Sequence, residues 1–243
     1  MTNVALIRSA PSVPLHSSCP RCGFLKWCLP ANLELSEAKR LYDRVTHQRP
    51  IKRGSYLHHA GEALGSLHVV CSGFIKTILT HDNGNVQVTG FSMSGDLIGI
   101  DAISTGKHLS DTVALEDSTL CGMPYAVFEN LSHAVPALQH HFNRIMSAEI
   151  TRDHELMFLL GSMNAKERIA VFLLRKSKRF AAHGYSATHF RLPMTRQDIA
   201  SYIGLTLETV SRALSDLQHD EIIAINGKDV EIRNLAGLQK VLH

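Results

Sequence analysis

TRQDIASYIGLTLETVSRALSDL, residues 195–217, decides the reading of this chain. Thr195 stands three residues ahead of Asp198, the spacing of a capping box, and predicts a helix running through Tyr202. Gly204 supplies the break that ends it, because glycine reaches the left-handed conformation that closes helices without a Cβ penalty. Thr206 then caps a second helix. Within that helix Leu207, Val210, Leu214 and Leu217 recur at steps of three, four and three and form one apolar face, which leaves Glu208, Ser211 and Arg212 together on the other. Two short helices joined in this way have helix-turn-helix spacing. The exposed trio suits base edges: arginine bonds guanine O6 and N7, glutamate accepts from cytosine N4, and serine adapts to either. Glu208 and Arg212 alone would equally make an ordinary i,i+4 surface pair.

The flanks favour the first reading. A helix over Ala165 to Ala182 precedes the pair, followed by Gly184 and the extended Phe190-Arg191-Leu192-Pro193. After it, Ile222 to Ile225, the Asn226-Gly227 turn and Val230 to Ile232 predict a β-hairpin. Residues 164–243 therefore read as a winged helix-turn-helix DNA-binding domain. Charge agrees in distribution rather than in sum. The whole chain carries +3, whereas residues 164–243 hold twelve Lys and Arg against eight Asp and Glu and the remainder is close to neutral.

Upstream, residues 51 to 124 form short β-rich runs punctuated by glycines, the texture of a small antiparallel barrel or roll. Phe74 to Thr80 and Val86 to Phe91 flank His81-Asp82-Asn83-Gly84-Asn85, whose Asn-Gly pair accepts positive φ, so a hairpin is expected. Leu35, Ala38 and Leu41 give residues 33–46 helical spacing. A long helix over 134–163 carries an apolar seam at Met146, Ile150, Met157 and Leu160 that runs through Asp153, suited to packing either on its own barrel or on a second copy of itself. Four regions result: a cysteine-rich segment 1–30, a β-rich domain 31–133, the long helix 134–163 and the DNA-binding domain 164–243. With 44% hydrophobic and 19% charged residues the chain has the composition of a folded globular protein, α+β in class. No apolar run approaches the roughly 18 to 20 residues that cross a bilayer, and Met1 to Pro14 lacks the basic-then-apolar layout of a signal peptide, so a cytoplasmic protein with no membrane partner is expected.

Five cysteines in such a compartment are ligands, redox groups or core residues rather than disulfides. Cys19, Cys22 and Cys28 fall within ten residues, spaced so that all three thiolates reach one metal, and a tetrahedral site or cubane then needs a fourth ligand, for which Cys121 is the supplier. Spacing alone leaves zinc and iron–sulfur level, with a redox dithiol behind them. Cys71 follows Leu67, Val69 and Val70 in a strand-like run and reads as a small buried residue. The fifteen histidines, including His58-His59 and His140-His141, lack helix-spaced ligand pairs and read as solvated. A glycine-rich barrel bearing His58, His59 and His68 also admits a cupin-like metalloenzyme, but such sites want clustered ligands and no His-x-His pair occurs.

Along nearly its whole length the sequence resembles the CRP/FNR superfamily, specifically its oxygen-responsive branch of fumarate and nitrate reduction regulators. The residues that carry the resemblance are Cys19-x2-Cys22-x5-Cys28 with Cys121, Glu208-x-x-Ser211-Arg212, Gly90-Phe91, Gly95-Asp96-Leu97, Asn164-Ala165-x-Glu167-Arg168 and Met194-Thr195-Arg196. The resemblance implies a β-roll sensor like those that bind cyclic nucleotides, a long dimerisation helix and a winged helix. It implies a 4Fe-4S cluster on the four cysteines, intact without oxygen, and so resolves zinc against iron. It also implies a homodimer on palindromic DNA with half-sites like TTGAT, contact with RNA polymerase, no enzymatic activity, and a role for Asp153 in keeping the cluster-free form monomeric. Two departures stand out. Gly95-Asp96-Leu97-Ile98 replaces the phosphate cassette of the cyclic-nucleotide branch, with no arginine between Gly95 and Cys121, which argues against a nucleotide ligand; a regulator with a zinc staple and another small-molecule effector is the alternative within the class. Gly23 and Trp27, flanking the second and third cysteines, also differ from the branch's pattern.

Overall fold

A computed structural model describes residues 46–242. The first half is a β-roll of two four-stranded sheets. Strands β1 (Thr46–Ile51), β8 (Ser118–Pro124), β3 (Ser66–Ser72) and β6 (Leu97–Ile98) form one sheet in that order; β2 (Tyr56–His58), β7 (Asp111–Ala114), β4 (Phe74–Thr80) and β5 (Val86–Met93) form the other. Ile51, Val70, Ile75, Ile98, Ala114 and Leu120 fill the space between them. The expected hairpin is β4–β5, with His81 and Asn85 closing the loop through a 2.9 Å backbone hydrogen bond. The tight passage from β3 to β4 depends on Gly73, which has φ 88° and where an added Cβ would lie 2.8 Å from the Ser118 Cα. Any side chain there would force the two sheets apart.

The long helix predicted over 134–163 is present, preceded by a shorter one that the sequence reading did not include. Helix α1 (Tyr125–Ala134) ends before Val135, and α2 (Pro136–Ser162) starts at Pro136, whose fixed φ suits the first helical position. Leu131, Val135 and Leu138 pack at this joint. Helix α3 (Ala165–Ala182) opens on a capping box between Asn164 and Glu167 and has the bounds that the sequence predicts. Strand β9 (His189–Arg191), helices α4 (Arg196–Ile203) and α5 (Leu207–His219), the hairpin β10 (Ile223–Asn226) and β11 (Asp229–Ile232), and a short α6 (Leu235–Lys240) complete a winged helix-turn-helix. The fold class read from the sequence holds. The helix expected over 33–46 and the cysteine-rich segment lie outside the described residues, except Thr46, which opens a strand instead.

The two halves share one core. Phe74, Val88, Phe91, Met93 and Leu115 of the roll join Phe172, Leu173, Ile199, Ile203 and Leu217 in a single apolar cluster. The β4–β5 hairpin lies against α4: Lys76 pairs with Asp198 at 2.6 Å, and the Val88 N–H donates to the Ser201 hydroxyl at 2.8 Å.

One expectation about side chains needs correction. The histidines are not all solvated, for His58 and His108 are about 95% buried and His68 is half-buried. His58 on β2 and His108 in the segment before β7 stack ring on ring, each covering a face of the other. Burial pushes His58 and His68 down to about 4, so both rings are neutral at neutral pH.

Candidate functional site

The helix-turn-helix is built by three local devices. The Thr195 hydroxyl accepts from the Asp198 N–H at 3.0 Å while the Asp198 carboxylate accepts from the Thr195 N–H at 2.9 Å. Gly204 takes φ 64° at the end of α4, where a Cβ would press to 2.9 Å from the Leu160 side chain. The Thr206 hydroxyl accepts from the Thr209 N–H at 3.2 Å. Helix α5 buries Val210, Ala213, Leu214 and Leu217, whereas Leu207 in its first turn is exposed rather than part of the buried face.

Glu208 and Arg212 face solvent, and Ser211 is half-buried with its hydroxyl accepting from the Arg196 guanidinium at 3.3 Å. The backbone N–H of Glu208 itself and the Thr206 hydroxyl hold its carboxyl below the ordinary range, so it is ionised and pinned at the helix start. The trio thus presents an acceptor, a hydroxyl and a forked donor along one open face. Arg168 was not singled out as a site by the sequence. Its guanidinium donates to the carbonyls of Leu160 (2.7 Å) and Met163 (2.9 Å) at the end of α2 and of Ile203 (3.1 Å) at the end of α4, tying the helix-turn-helix to the long helix.

Along α2, Ile150, Asp153 and Met157 are exposed and Met146 is half-buried. Leu160 does not continue the open stripe, since it packs against the core beside Gly204. Phe158, 62% exposed, adds apolar surface next to Met157 that the heptad reading missed. Arg152, a natural partner for Asp153, is engaged by Glu149 at 2.8 Å and by Asp96 at 3.9 Å.

Cys121 lies on β8, where alternation buries Ser118 and Leu120 inward and leaves Thr119, Cys121 and Met123 half-exposed on the outer face. Thr46 pairs with Gly122, so the chain enters the roll one residue from Cys121. Cys71 is buried as expected, but a bulge between Val70 and Ser72 brings its Sγ to 3.0 Å from the Cys121 Sγ, a proximity that depends on cross-strand register and left no mark in the sequence. Cys19, Cys22 and Cys28 lie outside the described residues. Cys121 fits a thiolate-ligated metal centre in donor type, in exposure and in its nearness to the incoming chain.

Sequence reasoning also missed a cleft of about 280 Å³ between the roll and helices α2 and α3. Arg152, Arg175, Lys176 and Arg179 reach it from the helices, well beyond the arginine-free interval from Gly95 to Cys121. Asp96 is ion-paired with Arg179 there. Lys176 is buried with its ammonium 5.2 Å from the Phe91 ring centre and 5.6 Å from that of Phe172, and burial pushes it down to about 7.

Comparison with known proteins agrees with this architecture. Residues 48–134 match the cyclic nucleotide-binding domain family and residues 167–241 the Crp-like helix-turn-helix domain family. The fumarate and nitrate reduction regulatory protein of Vibrio cholerae is 41% identical over 92% of this chain and 89% of its own length, and that of Escherichia coli K12 is 40% identical over 94% and 92%. The chain belongs to the Crp/FNR family of transcription regulators. FixK2 from Bradyrhizobium japonicum shares its fold with a TM-score of 0.75 at 27% identity, covering 81% of this chain and 96% of that one. As a member of the Crp/FNR family the chain is a DNA-binding transcription regulator and not an enzyme, which closes the cupin-like reading. Among the described residues no helix is long and apolar enough to cross a membrane.

Proposed function

We propose that this chain is a cytoplasmic, oxygen- or redox-responsive regulator that holds a 4Fe-4S cluster on Cys19, Cys22, Cys28 and Cys121 and, as a homodimer paired through α2, controls anaerobic gene expression from palindromic sites with half-sites like TTGAT, acting with RNA polymerase. The observation that supports it is the pairing of Thr46 with Gly122, by which the first described strand runs one residue from the half-exposed Cys121. The cluster, when bound, supplies an oxygen-labile cross-link between that segment and β8. The protein supplies the transmission. Cys121 stands three residues before Pro124, which caps α1, and α1 packs on α2 through Phe128 and Phe142, whose ring centres are 4.8 Å apart. A change of tension at β8 therefore acts on the helix that bears Ile150, Asp153 and Met157, and Arg168 links the end of α2 to the end of α4 in the helix-turn-helix.

Pairing two copies of α2 removes the Ile150 and Met157 side chains from water and brings two Asp153 carboxylates together, so that the dimer is favoured by apolar burial and opposed by charge. Such opposition leaves an equilibrium that a signal worth a few kcal/mol can tip. Glu208, Ser211 and Arg212 then read the half-sites.

Anaerobic purification with metal analysis is the test. Straw-brown protein with about four irons and four sulfides per chain, bleached by air, is the expected result; colourless protein with one zinc would replace the reading with the zinc-stapled alternative. The four cations around the cleft favour a second reading, an anionic small-molecule effector between roll and helices. A thermal shift with such anions that is lost in Arg179→Ala would support it.

A further inference from the structure

Three segments of the roll bring nitrogen and oxygen donors together well away from the cysteines. His58 ends β2, Asp101 sits in the 3-10 turn Ile100–Ala102, and His108 lies in the connection leading to β7. One donor atom from each lies within 4.8 Å of the others. The His58 and His108 rings are stacked with centres 3.5 Å apart and planes 9° from parallel.

The surroundings are those of a held site. The His58 Nε2 is buried without a hydrogen-bond partner, which is costly for an imidazole unless something else satisfies it. The His68 Nδ1 is in the same condition, and His68 is close enough to act electrostatically on His58. Asp101 is aimed by its neighbours: its Oδ2 accepts from the Ser110 hydroxyl at 2.9 Å and from the Leu109 N–H at 3.0 Å, while its Oδ1 stands 3.4 Å from the His108 Nδ1. The backbone of His108 is clamped, its N–H donating to Glu62 at 2.9 Å and its carbonyl accepting from Gly61 at 2.8 Å. Two imidazoles and a carboxylate oriented by second hydrogen bonds are the donor set of borderline divalent ions.

We propose that His58, Asp101 and His108 bind one divalent first-row transition ion of the zinc class, which clamps β2 to the β6–β7 connection at one end of the roll. The two rings lie in near-parallel planes, so ligation by both requires the imidazoles to splay about their side-chain torsions. The site is independent of the cysteine centre: it uses no thiolate, and its failure would leave the proposed cluster untouched.

The test is titration of the anaerobic full-length chain with Co²⁺, followed by displacement with Zn²⁺. The wild-type chain is expected to take up one more Co²⁺ than His58→Gln or His108→Gln. The difference spectrum should lack the near-ultraviolet sulfur-to-metal absorption that thiolate ligation produces. His59→Ala, altering the exposed neighbour, should bind as wild type does, and Ser110→Ala, which keeps all three ligands, should weaken binding about 10- to 100-fold. Equal stoichiometry in wild type and the two histidine variants overturns the proposal, as does a difference spectrum with thiolate character. Should the histidine variants misfold, Ser110→Ala decides: unchanged affinity in that variant overturns it as well.

Discussion

The reading head and the sensor roll differ in how far apart in sequence their working residues lie. In the helix-turn-helix every device is local: Thr195 reaches Asp198, Gly204 ends α4, and Thr206 caps α5 three residues before its bonded N–H. In the roll, Cys71 meets Cys121 across fifty residues, and His58 meets His108 across the same span. Local devices are written as spacing, whereas sheet contacts are written as register, and a one-residue bulge moves a side chain from one neighbour to another. The head should therefore answer to single substitutions in small, additive steps, and the roll in large ones.

The largest effect is expected at Cys121. Cys121→Ala should abolish the cluster, leaving no iron above background and no visible absorption in anaerobically purified protein, while Cys71→Ala should keep both. The contrast is demanding because the two sulfurs are 3.0 Å apart. If Cys71→Ala bleaches the protein and Cys121→Ala does not, the outward-facing position of Cys121 has misled the assignment.

Where the halves meet, Lys176 gives a pH signature. Its ordinary value of 10.5 falls to about 7 in the folded chain because burial disfavours the ammonium, a penalty that the Phe91 and Phe172 faces offset in part. Between these values the unfolded chain binds the additional proton, so stability rises with pH from about 7 to about 10.5 and is flat below. Relative to Lys176→Met, the wild-type chain should gain on the order of 3 kcal/mol between pH 7 and 9 in urea unfolding. Parallel curves for the two proteins would mean that the ammonium stays charged between its rings.

Asp153 tests the long helix. Asp153→Ala should strengthen dimerisation of the cluster-free protein by about 1 to 3 kcal/mol and allow it to bind a palindrome in air. Sedimentation of that variant as a monomer at the concentrations where wild type is monomeric would remove Asp153 as the brake.

How much was legible follows the same division. The bounds of α3, the β4–β5 hairpin, both helices of the reading head and the wing were readable, because caps, turn residues and apolar period all act over a few positions. The outward face of Glu208 and Arg212 was readable for the same reason. Helix α1 was not, since no capping side chain marks its start at Pro124. The buried histidines were misread because a histidine in a short strand or loop faces either way at no cost in local spacing, and only the closure of the roll removes these from water. The cleft was missed because Arg152 and Arg179 arrive from helices that the sequence places far beyond the glycine-rich cassette.

In the reading head, Arg212→Ala should cost about 1 to 3 kcal/mol at the cognate half-site and relax discrimination at one guanine, with a smaller loss on random duplex at the same salt concentration. Equal weakening on both would assign Arg212 to a phosphate, and would place specificity on Glu208 and Ser211.

The smallest effect, and the sharpest check on locality, is expected from Thr195→Ala. The Thr195 hydroxyl both accepts from the Asp198 N–H and donates to the Asp198 carboxylate at 2.7 Å, so its loss strips one partner from each. Burial raises the Asp198 carboxyl, but Lys76 and Thr195 more than reverse this and hold it ionised; Lys76, at 2.6 Å, survives the substitution and keeps the charge compensated. What is lost is therefore one cap, about 1 kcal/mol, seen as a lowered urea midpoint with unchanged slope. Hydrogen exchange should quicken first at the amides of Asp198 and Ile199 in the opening turn of α4, while the strands of the roll keep their protection. A loss several times larger, or faster exchange in β4 and β5, would mean that the Thr195–Asp198–Lys76 chain works as part of the interface between the halves, and that the head is less self-contained than its local spacing implies.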